Sequence, residues 1–229
     1  MKTIFKIIVV AIFFLTTGCA TTYIPNTVNT PMFSNKGEIQ ASIHAGNSGF
    51  DPQLAYAITD NIGIMANGSF ANSKSDTTKN YENHKFGELG IGYYKKLNNN
   101  TMIEFFGGFG LGELKSYDNT WFVSNEREIK SNRFFLQPAI GFSNINGMFS
   151  FTPRFVVCNT TNVHTNISYT RSFIEPTITG RIGFNNIMLT GQLGYSFAMH
   201  STLSNNNLDY NSLIISIGIH FAINRHPKE

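Results

Sequence analysis

From Gly37 to Ile223 the chain alternates apolar residues with small or polar ones, in stretches of roughly ten residues. In the stretch from Ile187 to Phe197, Ile187, Leu189, Leu193, Tyr195 and Phe197 share one parity, while Thr190, Gln192, Gly194 and Ser196 share the other. Successive strand residues point to opposite faces, so each stretch has an apolar face and a polar one. A tilted strand needs about 9 to 11 residues to cross a hydrocarbon core. The pattern predicts an all-β protein, an antiparallel up-and-down transmembrane β-barrel.

Ten strands are expected, at about 38–46, 52–59, 62–71, 85–96, 101–113, 132–143, 148–157, 171–184, 187–199 and 211–223. The first pair is the weakest of them, because Ile39 to Ala45 alternates but has only a short loop after it, and a count of eight stays open. Short Asn-rich connections follow the even strands, at Asp60-Asn61, Asn98 to Asn100, Asn144 to Gly147 and Asn185-Asn186. Asn and Gly suit tight hairpins because they tolerate positive φ. The odd strands are followed by mostly longer polar loops near 47–51, 72–84, 114–131, 158–170 and 200–210. In outer-membrane barrels short turns are periplasmic and long loops extracellular, which places both ends of the barrel in the periplasm. Pro138, Pro153 and Pro176 fall inside strands, on the apolar parity, where each removes a ladder donor. Bulges are expected there.

The apolar parity includes Ile64, Leu89, Ile91, Phe105, Phe134, Phe151, Ile178 and Ile217, with Tyr93, Phe142, Phe149, Phe184 and Phe221 beside short turns, as an interfacial girdle would be. A β-sandwich or a soluble lipocalin-like barrel is the competing all-β reading. The polar parity carries Glu88, Glu104, Arg154, Glu175 and Arg181 among Gln53, Gln137, Gln192 and many glycines. Arg154 and Glu175 come out as cross-strand neighbours, Glu88 at a similar height, and Glu104 and Arg181 lower. A barrel of this size has room for side chains and little else, so these charges are expected to pair in a filled lumen. A charged constriction in a narrow pore for small solutes is the alternative. Gly90, Gly92, Gly108, Gly110 and Gly112 are inward beside Tyr94, Phe106 and Phe135, where rings could lie against them.

Before the barrel, Lys2 and Lys6 followed by the apolar run Ile4 to Leu15 read as a signal peptide over 1–18. Leu15-Thr-Thr-Gly-Cys19 looks like the bacterial lipobox, with Leu15 one place further out than usual, and makes Cys19 the expected lipid attachment site. An ordinary cleavable signal is the plain alternative. Residues 19–36, with Pro25 and Pro31, are expected to be a periplasmic tether, 37–223 the barrel and 224–229 a C-terminal tail. The formal net charge is +3. Removing Lys2 and Lys6 leaves the chain close to neutral, and no nucleic-acid partner is expected. Cys158 would be the one remaining thiol, buried or at a loop base. No histidine falls in a metal-binding spacing, and no metal or cofactor is expected. Ser196 with a loop histidine such as His200 could be forced into the role of a lipid-modifying enzyme, the distant alternative.

Cys-Ala-Thr-Thr-Tyr-Ile-Pro-Asn at 19–26, Tyr-Ala-Ile-Thr-Asp-Asn-Ile-Gly-Ile-Met-Ala at 56–66, Gly-Glu-Leu-Gly-Ile-Gly-Tyr-Tyr at 87–94 and Ile-Glu-Pro-Thr-Ile-Thr-Gly-Arg-Ile-Gly at 174–183 resemble small outer-membrane β-barrel lipoproteins of Bacteroidota. Lys-Gly-Glu-Ile-Gln at 36–40 and Phe-Leu-Gln-Pro-Ala-Ile-Gly-Phe at 135–142 extend the resemblance across almost the whole mature chain. That resemblance implies the barrel and its location, and no activity. Ser216 to Ile223 also resembles the C-terminal signal read by the outer-membrane assembly machinery, with Gly218 and Phe221 at its defining places and Ile223 where an aromatic is usual. Ala20-Thr21-Thr22 is not the acidic run that resembles a surface-export signal, which puts the acyl group in the periplasmic leaflet. The expected protein is a non-enzymatic, lipid-anchored barrel of the Gram-negative outer membrane, structural or surface-interacting. Its expected partners are outer-membrane lipids and the assembly machinery.

Overall fold

The structure, a computed structural model of the chain, describes residues 22–75, 80–120, 123–144, 146–184, 186–199 and 210–224. The expected signal peptide over 1–18, Cys19, His200 and most of the tail therefore lie outside the described residues. The strands are β1 (Ile39–Gly46), β2 (Gly49–Ala57), β3 (Ile62–Lys74), β4 (Tyr81–Lys96), β5 (Thr101–Thr120), β6 (Val123–Asn144), β7 (Gly147–Asn162), β8 (Ser168–Phe184), β9 (Ile187–Tyr195), β10 (Phe197–Ala198) and β11 (Leu213–Ile223). β9 and β10 form one stave interrupted at Ser196, and β11 pairs with both β9 and β1. The result is a closed antiparallel barrel of ten strands. β1 and β2 pair along nearly their whole length, so the count is the expected ten and the alternative of eight falls.

The expected bulges are absent. Register is constant along every ladder, and Pro138, Pro153 and Pro176 instead fall side by side at one height across β6, β7 and β8. The missing donors open the ladder without shifting it: β6 and β7 part between Leu136 and Ile140, and the β9–β10 break lies opposite Glu175 and Pro176. Pro52 does the same between β2 and β3, at the gap from Phe50 to Gln53.

Loop assignments also change: β3, β4, β7 and β8 run into the expected loops 72–84 and 158–170, and two further loops change more. Residues 47–51 contain only a tight turn, with Gly46 facing Gly49, whose φ of 107° favours glycine. Most of 114–131 is strand, because β5 and β6 stay paired from Phe142 at the short-turn end out to Thr120 and Val123. Above the apolar band the outward residues become polar, as at Glu113, Lys115 and Lys130, while Leu114 and Ile129 are buried inward against Ile24, so the apolar-outward pattern reverses while pairing persists. Lys115 bridges Glu113 at 2.9 Å and Glu128 at 3.2 Å there.

The outside is apolar. Leu89 is 68%, Ile182 68% and Phe184 77% exposed, with Ile91, Phe134, Leu136 and Ile217 also exposed around the same belt. A single closed sheet rules out the sandwich, and so large a contiguous apolar surface is what a bilayer covers and water does not tolerate. Inside, a Cβ on Gly108 would stand 2.5 Å from the Phe135 ring and 2.2 Å from the Leu89 carbonyl oxygen, so the glycine makes space for the ring.

Candidate functional site

The lumen is occupied by the chain's own N-terminal segment. Tyr23 to Phe33 has no charged residue; Asn and Thr are interleaved with Ile, Val, Met and Phe, and Pro25 and Pro31 remove two donors that a lumen would have to satisfy. Every residue from Tyr23 to Phe33 is buried. The expectation of a periplasmic tether over 19–36 is thereby corrected for these residues: an uncharged strip rich in hydrogen-bonding side chains lies inside a polar wall.

The wall holds the segment residue by residue. Thr27 N donates to Asp51 Oδ2 at 2.8 Å, and Gln53 Nε2 donates to the Thr27 carbonyl at 2.9 Å. Val28 N donates to Gln192 Oε1 at 3.0 Å while Gln192 Nε2 donates back to the Val28 carbonyl, so one amide serves as a ladder partner. Gln137 Nε2 reaches the Asn29 carbonyl at 2.6 Å. Thr30 and Thr179 hydroxyls meet at 3.2 Å. Lower down, Arg181 donates to the Thr30 carbonyl at 2.8 Å and to that of Pro31 at 3.4 Å, and Met32 N donates to Glu104 Oε2 at 2.8 Å. Met32 takes a φ of 53°, which those contacts hold. Phe33 lies against Tyr94 at the short-turn end, and Ser34 N donates to Glu38 at 2.7 Å before the chain enters β1.

At the upper level Glu88 is a hub. It accepts from Arg154 at 2.6 Å, from Asn67 at 2.9 Å and from Asn26 at 3.2 Å. Arg154 also lies 4.4 Å from the centroid of the Phe135 ring. Arg154 and Glu175 do face each other across β7 and β8. The ion pair Arg154 makes is nevertheless with Glu88, which corrects the expected Arg154–Glu175 bridge. Glu175 instead accepts from the Tyr23 hydroxyl at 2.7 Å and the Ser196 hydroxyl at 2.9 Å. Cross-strand register put the right residues at one height, but the inserted segment brought a competing donor to Glu175. Glu104 and Arg181 share the lower level, as expected, and both are directed at the segment.

Sequence reasoning missed three members of this cradle. Arg133 is buried, lies over the Tyr23 and Phe86 rings, and donates to Asn26 and to the Ile24 carbonyl. Its inward parity with Phe135 and Gln137 was visible, but it stood at the edge of the expected strand. Asp51 was assigned to a loop. The segment itself was betrayed only by its lack of charge.

Gly218 sits on the closing seam, where a Cβ would lie 2.1 Å from the Ile43 carbonyl oxygen. Phe221 is outward and faces Ala41 across the same seam. Cys158 is buried and reduced. The Ser196 hydroxyl is directed at Glu175, and His200 lies outside the described residues. Among the described residues no cluster of His, Cys, Asp or Glu could hold a metal.

No protein-family model matches the chain. No curated protein matches it as a relative. Among solved structures the chain is similar to the translocator domain of autotransporter NalP from Neisseria meningitidis, with a TM-score of 0.48 and 9% identity over 80% of this chain and 86% of that one.

Proposed function

We propose that this chain is a sealed, lipid-anchored β-barrel of the Gram-negative outer membrane, without enzymatic activity, that contributes to envelope structure and presents its long loops outside. One observation carries the reading. The lumen contains residues 23–33, and the charged side chains of its wall are hydrogen-bonded to them or to one another. A pore needs a continuous water path, and a barrel enzyme of the Ser-His kind needs an accessible nucleophile; Thr30, Val28 and Ser196 are each fully buried. The apolar belt supports membrane insertion, and the signal with Cys19 supports export and acylation.

The barrel domain is a much stronger anchor than an acyl chain. Cys19→Ser should therefore lose metabolically incorporated palmitate yet stay in the outer-membrane fraction after high-salt washing. Recovery of that variant as a soluble periplasmic protein would contradict the membrane reading.

A further inference from the structure

The direction of the luminal segment has a topological consequence. Phe33 and Ser34 lie at the short-turn end, near Gly63, Tyr94 and Glu38. Tyr23 lies at the other end: its backbone pairs in parallel with Tyr210, and its carbonyl accepts from Asn211 N at 2.9 Å, just before β11 begins. Its ring stacks on Phe173 at 4.1 Å. That height is the upper edge of the outer apolar belt, where Phe134 gives way to Asn132 and Ile174 to Ser172. The wall is low here, since β1 and β2 are joined by a tight turn at 47–48.

We infer that the mature N-terminus leaves the barrel through the long-loop mouth, so that an acyl group on Cys19 anchors in the leaflet opposite the short turns and the ends of β1 and β11. The argument is one of reach. Cys19 precedes Tyr23 by four peptide steps, which span at most about 14 Å. A barrel's apolar belt is about 25 Å tall, and the way back down the lumen is already filled. The expectation of a periplasmic-leaflet anchor took residues 19–36 to be spacer; with 22–33 committed to the lumen and its mouth, no length remains for it.

The inference takes its outward sense from the outer-membrane reading, but the opposition of the two ends does not depend on it. Three proteins that keep Cys19 and carry one added cysteine each, in a Cys158→Ala background, test both: Thr21→Cys beside the lipid site, Thr165→Cys in a long loop and Asn99→Cys in a short turn. An impermeant maleimide on intact cells should label Thr21→Cys as fully as Thr165→Cys, and Asn99→Cys only after the outer membrane is opened. Thr21→Cys behaving as Asn99→Cys would overturn the inference and leave the barrel's orientation standing. The reverse failure, with Thr21→Cys and Thr165→Cys both shielded and Asn99→Cys open, would overturn the orientation and keep the inference. All three behaving alike would overturn both. Mass spectrometry of the N-terminal peptide should find Cys19 acylated and its thiol therefore blocked; an unmodified Cys19 would overturn the lipid part of the inference, and the same three variants with Cys19→Ala then read the exit side.

Discussion

Deleting Tyr23 to Phe33 while keeping the signal and Cys19 should turn a silent barrel into a conducting one. The wild-type protein in planar bilayers is expected to show no steady current, because the buried backbone from Thr27 to Met32 fills the lumen and is gripped by Gln53, Gln137, Gln192 and Arg181. Without the segment those side chains and Asp51 and Glu104 lose their partners, and water must enter to solvate them, since buried polar groups without partners are costly. Current should then be steady and sensitive to charge changes at Arg133 or Arg181. A deletion variant that folds, judged by its heat-modifiable gel mobility, yet stays silent would show that wall side chains alone close the lumen. Steady current through the wild type would instead promote the pore.

The second large effect is expected at Arg154. Its partner Glu88 is fully buried and so is Arg154 itself. Removing one member of such a pair leaves an uncompensated charge and costs about 3 to 5 kcal/mol. Arg154→Met should therefore lower the unfolding free energy of the refolded barrel by that amount, and Glu88→Gln added to it should recover a large part. Glu175→Gln added instead should recover little, because the Glu175 partners are Tyr23 and Ser196. Urea unfolding in a double-mutant cycle reads the difference. Stronger coupling of Arg154 to Glu175 than to Glu88 would mean that the register, and not the luminal segment, decides the pairing.

Much of this architecture was legible because a barrel wall has a strict period of two. Parity alone placed Glu88, Glu104, Arg154, Glu175 and Arg181 inside and Phe142, Phe149 and Phe184 outside, as the structure has them. Periodicity failed where the sense of the two faces reverses: above the apolar band β5 and β6 turn Glu113, Lys115 and Lys130 outward and bury Leu114 and Ile129 against Ile24, so the apolar-outward signal ends while the strands continue. It was silent on the luminal segment for a different reason. Residues 23–33 are enclosed on all sides, and an extended segment with no exposed face has no reason to alternate. Pairing of the charges could not be read either, since it depended on where Tyr23 and Asn26 would stand. The prolines show a further limit: sequence identifies a missing donor, whereas only the structure shows that three of them line up and need no bulge.

The central claim is that residues 23–33 lie in the lumen, and Thr30 with Thr179 tests it most directly. Their hydroxyl oxygens are 3.2 Å apart and both residues are fully buried, so cysteines there need only a small shift to reach the disulfide distance of about 2.05 Å. In an oxidising compartment, Thr30→Cys with Thr179→Cys, in the Cys158→Ala background, should form an intramolecular disulfide found by peptide mass spectrometry under non-reducing conditions. Thr30→Cys with the outward neighbour Ile178→Cys should not. The account predicts a near-complete bond in the first protein and none in the second; two free, maleimide-reactive thiols at 30 and 179 in the folded barrel would contradict it.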